Sequence, residues 1–113
     1  GTAGVDTRNV VIGYSSGSTI VEGTQNTLLG ALTQPSGANT SNEIVIGYDV
    51  DGLGANKAVI GNASITNIAP GVDGTVSLGD DTRGFEEIIL TSPNGSKFRI
   101  KVSDAGALSA TAV

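Results

Sequence analysis

A short apolar cluster ending in glycine recurs along this chain, and no other feature narrows the possible folds as far. The copies read Asn9-Val10-Val11-Ile12-Gly13, Asn26-Thr27-Leu28-Leu29-Gly30, Asn42-Glu43-Ile44-Val45-Ile46-Gly47, Asn56-Lys57-Ala58-Val59-Ile60-Gly61 and, more weakly, Thr75-Val76-Ser77-Leu78-Gly79. Their glycines are 17, 17, 14 and 18 residues apart, a period that suits one coil of a stacked β-structure. β-Branched residues fit a pleated strand, and a terminal glycine can take positive φ where the chain must turn. Each copy therefore reads as a strand and then a corner, with Gly13, Gly30, Gly47, Gly61 and Gly79 as the repeat turns. Asn at the head tolerates a left-handed backbone and frames the strand from the other side. The linkers, such as Gln34-Pro35-Ser36-Gly37-Ala38-Asn39, are rich in turn-forming residues.

The clusters also speak to burial. A strand with one wet face alternates apolar and polar residues, whereas Val10-Val11-Ile12 and Ile44-Val45-Ile46 are continuously apolar, which predicts cover on both faces. The chain has little bulky material with which to provide that cover, since its 113 residues include 17 Gly, two Phe, two Tyr and no Trp or Met. Three identical chains around an axis could bury one face along the axis and the other within each coil. The expected fold class is thus all-β: a trimeric β-roll, or a fibre like a triple-stranded β-helix, over residues 1–82, with a β-hairpin or meander over residues 83–113. A monomeric β-sandwich with accidental glycine spacing is the plainer alternative. The start at Gly1, without an initiator Met, points to a fragment of a longer chain.

Composition removes several functions. With no Cys, neither disulfides nor thiolate metal sites can form, and with no His the usual general base and the commonest zinc ligand are missing. A formal net charge of −5 is the wrong sign for a nucleic-acid partner. No apolar run approaches the roughly 18 residues that span a bilayer, so no membrane insertion is expected.

After Gly79 the pattern changes. Phe85 to Leu90 reads as a strand, Ser92-Pro93-Asn94-Gly95 as a turn, and Lys97 to Val102 as a second strand. Phe98, Ile100 and Val102 alternate with Lys97, Arg99 and Lys101, which predicts one buried face and one solvated cationic face. Glu86 and Glu87 are placed to pair with those cations, and Ala107 to Val113 can add a third strand.

The Asn-to-Gly clusters resemble those of the head domains of YadA-type trimeric adhesins. The stretch Gly52-Leu53-Gly54-Ala55-Asn56-Lys57-Ala58-Val59-Ile60-Gly61-Asn62-Ala63-Ser64-Ile65-Thr66 is similar to segments of phage tail-fibre proteins. So is the closing Leu90-Thr91-Ser92-Pro93-Asn94-Gly95-Ser96-Lys97-Phe98-Arg99-Ile100-Lys101-Val102. The resemblance implies a homotrimeric, non-enzymatic fibre segment, carried on a virion as part of a tail fibre or alternatively on a bacterial surface, that attaches to a host-cell receptor.

Few residues could carry chemistry, and no catalytic residue and no cofactor is assigned. Asp49 and Asp51 beside Gly52 have the spacing of a weak calcium loop but lack the further oxygen ligands and the bidentate Glu that an EF-hand needs. Asp80-Asp81 is equally ambiguous. A depolymerase acting on polysaccharide is the alternative function, with Asp49, Asp51, Asp80, Asp81, Glu86 and Glu87 as its acidic candidates. Tyr14 and Tyr48 each follow a repeat glycine and occupy equivalent positions. They are either an aromatic ladder that stacks on a sugar receptor or packing at the corners. Lys97, Arg99 and Lys101 could meet an anionic polysaccharide. Regular Thr-x-Thr ranks of the ice-binding type are absent.

Overall fold

A computed structural model describes residues 8–69, 71, 77–79 and 82–113. Its strands form two sheets, one parallel and one antiparallel, and the described residues contain no helix. The chain divides into two compact units, Gly1–Ile68 and Ala69–Val113.

In the first unit, β1 (Val10–Ile12), β2 (Thr27–Leu29), β3 (Ile44–Ile46) and β4 (Ala58–Ile60) lie side by side in chain order, all parallel. Their register matches the sequence repeat residue for residue: Val11 pairs with Leu28, Leu28 with Val45, and Val45 with Val59. Because successive side chains of a strand point to opposite faces, the row Val11, Leu28, Val45, Val59 points one way and the two flanking rows point the other. The inward row builds the core. Leu28 and Val45 are fully buried with Val50, and Ile20 and Val59 pack against them.

The chain can return after each three-residue strand because its corners repeat as well. Gly13, Gly30 and Gly47 have φ of 136°, 135° and 143°, and two residues later Ser15, Leu32 and Asp49 are left-handed, with φ of 51°, 62° and 52°. A Cβ on Gly30 would run into the Gly47 carbonyl, and one on Gly13 into the Gly30 carbonyl, so the stacking itself demands glycine there. Backbone bonds carry the ladder through the corners: the Leu32 amide donates to Tyr14 O (2.8 Å) and the Asp49 amide to Ala31 O (3.0 Å). On the far side of each strand, Arg8, Gln25, Asn42 and Asn56 are all left-handed. Asn thus takes that position in two of the four circuits, and Arg8 and Gln25 take it in the others.

Polar side chains hold the linkers where sheet bonding ends. Gln34 Nε2 donates to Ser15 O (2.7 Å) and Ser18 Oγ (3.0 Å), while its Oε1 accepts from Thr19 Oγ1 (3.1 Å). Buried Thr33 sits 2.6 Å from Ser16 Oγ and donates to Gly30 O (3.0 Å).

The second unit is a meander of β5 (Ile88–Thr91), β6 (Lys97–Val102) and β7 (Leu108–Ala112), antiparallel throughout. The Ser92–Gly95 turn closes with the Gly95 amide on Ser92 O (2.9 Å) at a Gly95 φ of 85°, and Gly106 closes the next turn on Ser103 O (2.8 Å). The predicted first strand begins three residues later than expected, at Ile88. The expected burial of Phe98, Ile100 and Val102 is not met within the chain: Phe98 and Val102 are exposed and Ile100 is half-buried. Of the fifth cluster, residues 75 and 76 lie outside the described residues, and Ser77, Leu78 and Gly79 belong to no strand.

Candidate functional site

Two surfaces of the first unit could meet a partner. The first is the outward face of the parallel sheet, where the flanking rows place Val10, Thr27, Ile44 and Ala58 beside Ile12, Leu29, Ile46 and Ile60. Ile12 is 60 % exposed, and Val10, Leu29, Ile44 and Ile60 are exposed too. The expectation of cover on both strand faces is therefore met only on the inner face of β2 and β3, and on neither face of β1, where Val11 is exposed as well. The uncovered apolar area is on the order of 400–500 Å², in the range of the largest apolar patch on a typical monomer, which is often functional.

The second surface is the corner column. The continued register aligns Tyr14, Ala31 and Tyr48, and the two tyrosines are 79 % and 64 % exposed. At these exposures neither side chain is buried against the neighbouring circuit. With strands about 4.8 Å apart, two steps of the stack set the tyrosine backbones roughly 10 Å from each other. The small Ala31 lies between them.

Behind these surfaces runs a buried polar column. Asn9 Oδ1 accepts from the Asn26 amide (2.8 Å) and Asn26 Oδ1 from the Glu43 amide (2.9 Å). Asn9 Nδ2 donates to Gly23 O (2.8 Å) and Asn26 Nδ2 to Thr40 O (2.9 Å). Glu43 continues the column with a carboxylate that accepts from the Ser36 amide (3.0 Å) and the Gly54 amide (2.8 Å). Burial pushes the Glu43 carboxyl up, but these bonds, with the Ser36 and Thr40 hydroxyls, outweigh it and hold the group below its ordinary range. Gly52 leaves the room required, since a Cβ there would meet Glu43 Oε1 at 2.5 Å. Glu43 was not among the residues that sequence reasoning singled out.

The acidic candidates do not converge. Asp49 and Asp51 are exposed on the linker after β3, and among the described residues no three acidic side chains gather as metal ligands would. Asp80 and Asp81 lie outside the described residues. Glu86 and Glu87 face the basic row instead: Lys101 Nζ lies 3.0 Å from Glu86 Oε1 and 3.3 Å from Glu87 Oε2, and Arg99 Nε lies 2.6 Å from Glu87 Oε2. Hydrogen bonding and charge from Lys101 hold the Glu86 carboxyl below its usual range, and the same carboxylates raise Lys101. Two of the three cations proposed for an anionic receptor are thus already partnered, and Lys97 stands beside them on the exposed end of β6. Comparison with protein-family models, with curated proteins and with solved structures finds no match to this chain.

Proposed function

We propose that this chain is a non-enzymatic, structural and receptor-binding segment of a homotrimeric attachment fibre, borne on a virion as part of a tail fibre. The observation that carries this reading is the outward apolar face of the parallel sheet. Burying some 450 Å² of apolar surface is worth roughly 10 kcal/mol per chain, to be set against an association cost of about 4–15 kcal/mol. A cyclic arrangement of three copies brings like faces together around an axis without unpaired charge. The in-register parallel stack with glycine corners is the geometry that a β-roll of the YadA-head type requires, and the sequence resemblance supports the same reading.

In such an assembly the tyrosine column is the receptor surface. Two exposed aromatic side chains about two strand spacings apart suit stacking on successive sugars of an extended polysaccharide. The depolymerase reading has less support. A glycosidase needs a general acid whose pKa is raised, and the Glu86 carboxyl is held down. Replacing Tyr14 and Tyr48 with Ala tests the receptor role. Adsorption to host cells should fall at least tenfold while melting temperature and particle mass stay unchanged; undiminished adsorption by a still-folded trimer would remove the tyrosines from the receptor site.

A further inference from the structure

The antiparallel sheet of the second unit presents an apolar face of its own. Its register pairs Ile88 with Ile100, Leu90 with Phe98, Phe98 with Ala112, Ile100 with Ala110 and Val102 with Leu108. Alternation places all eight of these side chains on one face, with no charged or polar residue among them. The opposite face carries Ile89, Thr91, Lys97, Arg99, Lys101, Ser109 and Thr111, where Arg99 and Lys101 pair with Glu87 and Glu86. Apart from Ile89, that face is already suited to water. The apolar one is not: Val102 is 65 % and Leu108 73 % exposed, and Ile88, Leu90 and Phe98 are exposed as well.

A three-stranded sheet needs a covered hydrophobic face to be stable. The uncovered apolar area here is about 500 Å² per chain, at the upper end of patches found on monomers and short of the roughly 800 Å² per partner of a standard interface. The segments outside the described residues contribute only Val5, Val72 and Val76 as branched apolar residues, too few to cover eight positions. A charged partner has no complement on this face. A second copy does, because it brings an equally wide and equally uncharged surface and leaves no buried charge unpaired.

On the reading of the chain as a self-associating fibre segment, we propose that the apolar face of the β5-β6-β7 sheet is a self-association surface, occupied by the same face of neighbouring copies. It forms a closing clamp that holds the C-terminal ends of the chains together. The paired face of Arg99 and Lys101 then lies outermost.

The absence of cysteine from the 113 residues allows a direct test with the whole chain. Ala110→Cys places a single thiol in the middle of the apolar face, and Ser109→Cys places one on the opposite face. Under mild oxidation Ala110→Cys should give covalent dimers in high yield, and Ser109→Cys at least tenfold less. A second variant, Val102→Lys with Leu108→Lys, should weaken assembly at least tenfold in sedimentation velocity while far-ultraviolet circular dichroism retains the β signal. Equal cross-linking from both thiols would overturn the clamp. So would a double-lysine variant that assembles as tightly as the parent while Ile12→Lys with Ile44→Lys dissociates, a result that leaves the fibre reading standing. A parent chain that is folded and monomeric would remove both.

Discussion

Asn26 is the residue whose loss should reveal most about how so slim a stack holds together. It is 1 % exposed, and its side chain closes two backbone groups at once, the buried Glu43 amide and the part-buried Thr40 carbonyl. Asn26→Ala leaves both without a partner. Each stranded buried group costs about 1–3 kcal/mol, and partial hydration through the vacated space brings the sum to about 2–4 kcal/mol. That is a large share of the roughly 5–15 kcal/mol available to a domain of this size. Urea unfolding at one fixed chain concentration, followed by far-ultraviolet circular dichroism, should show this loss as a lower midpoint with an unchanged slope. Asn39→Ala, at an exposed position on the neighbouring linker, should stay within about 0.5 kcal/mol of the parent. Asn26→Asp separates the two bonds, keeping the acceptor for Glu43 but setting a carboxylate oxygen against Thr40 O. It should be destabilised at neutral pH and recover in part once the new carboxyl is protonated. A loss below about 1 kcal/mol for Asn26→Ala would refute the idea that the polar column is structural.

Two further outcomes follow from the same packing. Glu43 has a depressed pKa in the folded chain, so its contribution is complete above the ordinary carboxyl range and is lost as pH falls through the folded value. Glu43→Gln should cost about 1–3 kcal/mol near pH 7, because its amide group faces a backbone donor, and should flatten the acid limb of a stability-against-pH curve. Gly30→Ala meets both a positive φ and the Gly47 carbonyl. It should lower stability by more than about 3 kcal/mol, whereas Gly84→Ala, which meets open space, should leave thermal melting nearly unchanged.

The repeat was legible because strand and corner each carry a local chemical signature. Runs such as Val10-Val11-Ile12 and Ile44-Val45-Ile46 became β1 and β3 without adjustment, and Lys97–Val102 became β6. The polar column escaped notice because aligning the copies on their leading Asn spreads the variation in cluster length across the strand. Counting back four residues from Gly13, Gly30, Gly47 and Gly61 instead gives Asn9, Asn26, Glu43 and Lys57. The extra residue then falls on Asn42 and Asn56, at the left-handed corner that Arg8 and Gln25 occupy in the other circuits. The alternation in β6 marked out its apolar face but could not say what covers it. Periodicity reports which side chains share a face, and only contacts report whether that face is buried. The acidic pairs misled for a related reason, since adjacency in sequence did not bring Asp49 and Asp51 together with further ligands.

Sedimentation equilibrium of the unmodified chain at micromolar concentration tests the central idea that these faces are closed by identical neighbours. A single species with the mass of three chains, persisting on tenfold dilution, is the expected result. A cooperatively folded species with the mass of one chain would contradict it, for both apolar sheet faces would then be stable in water without cover.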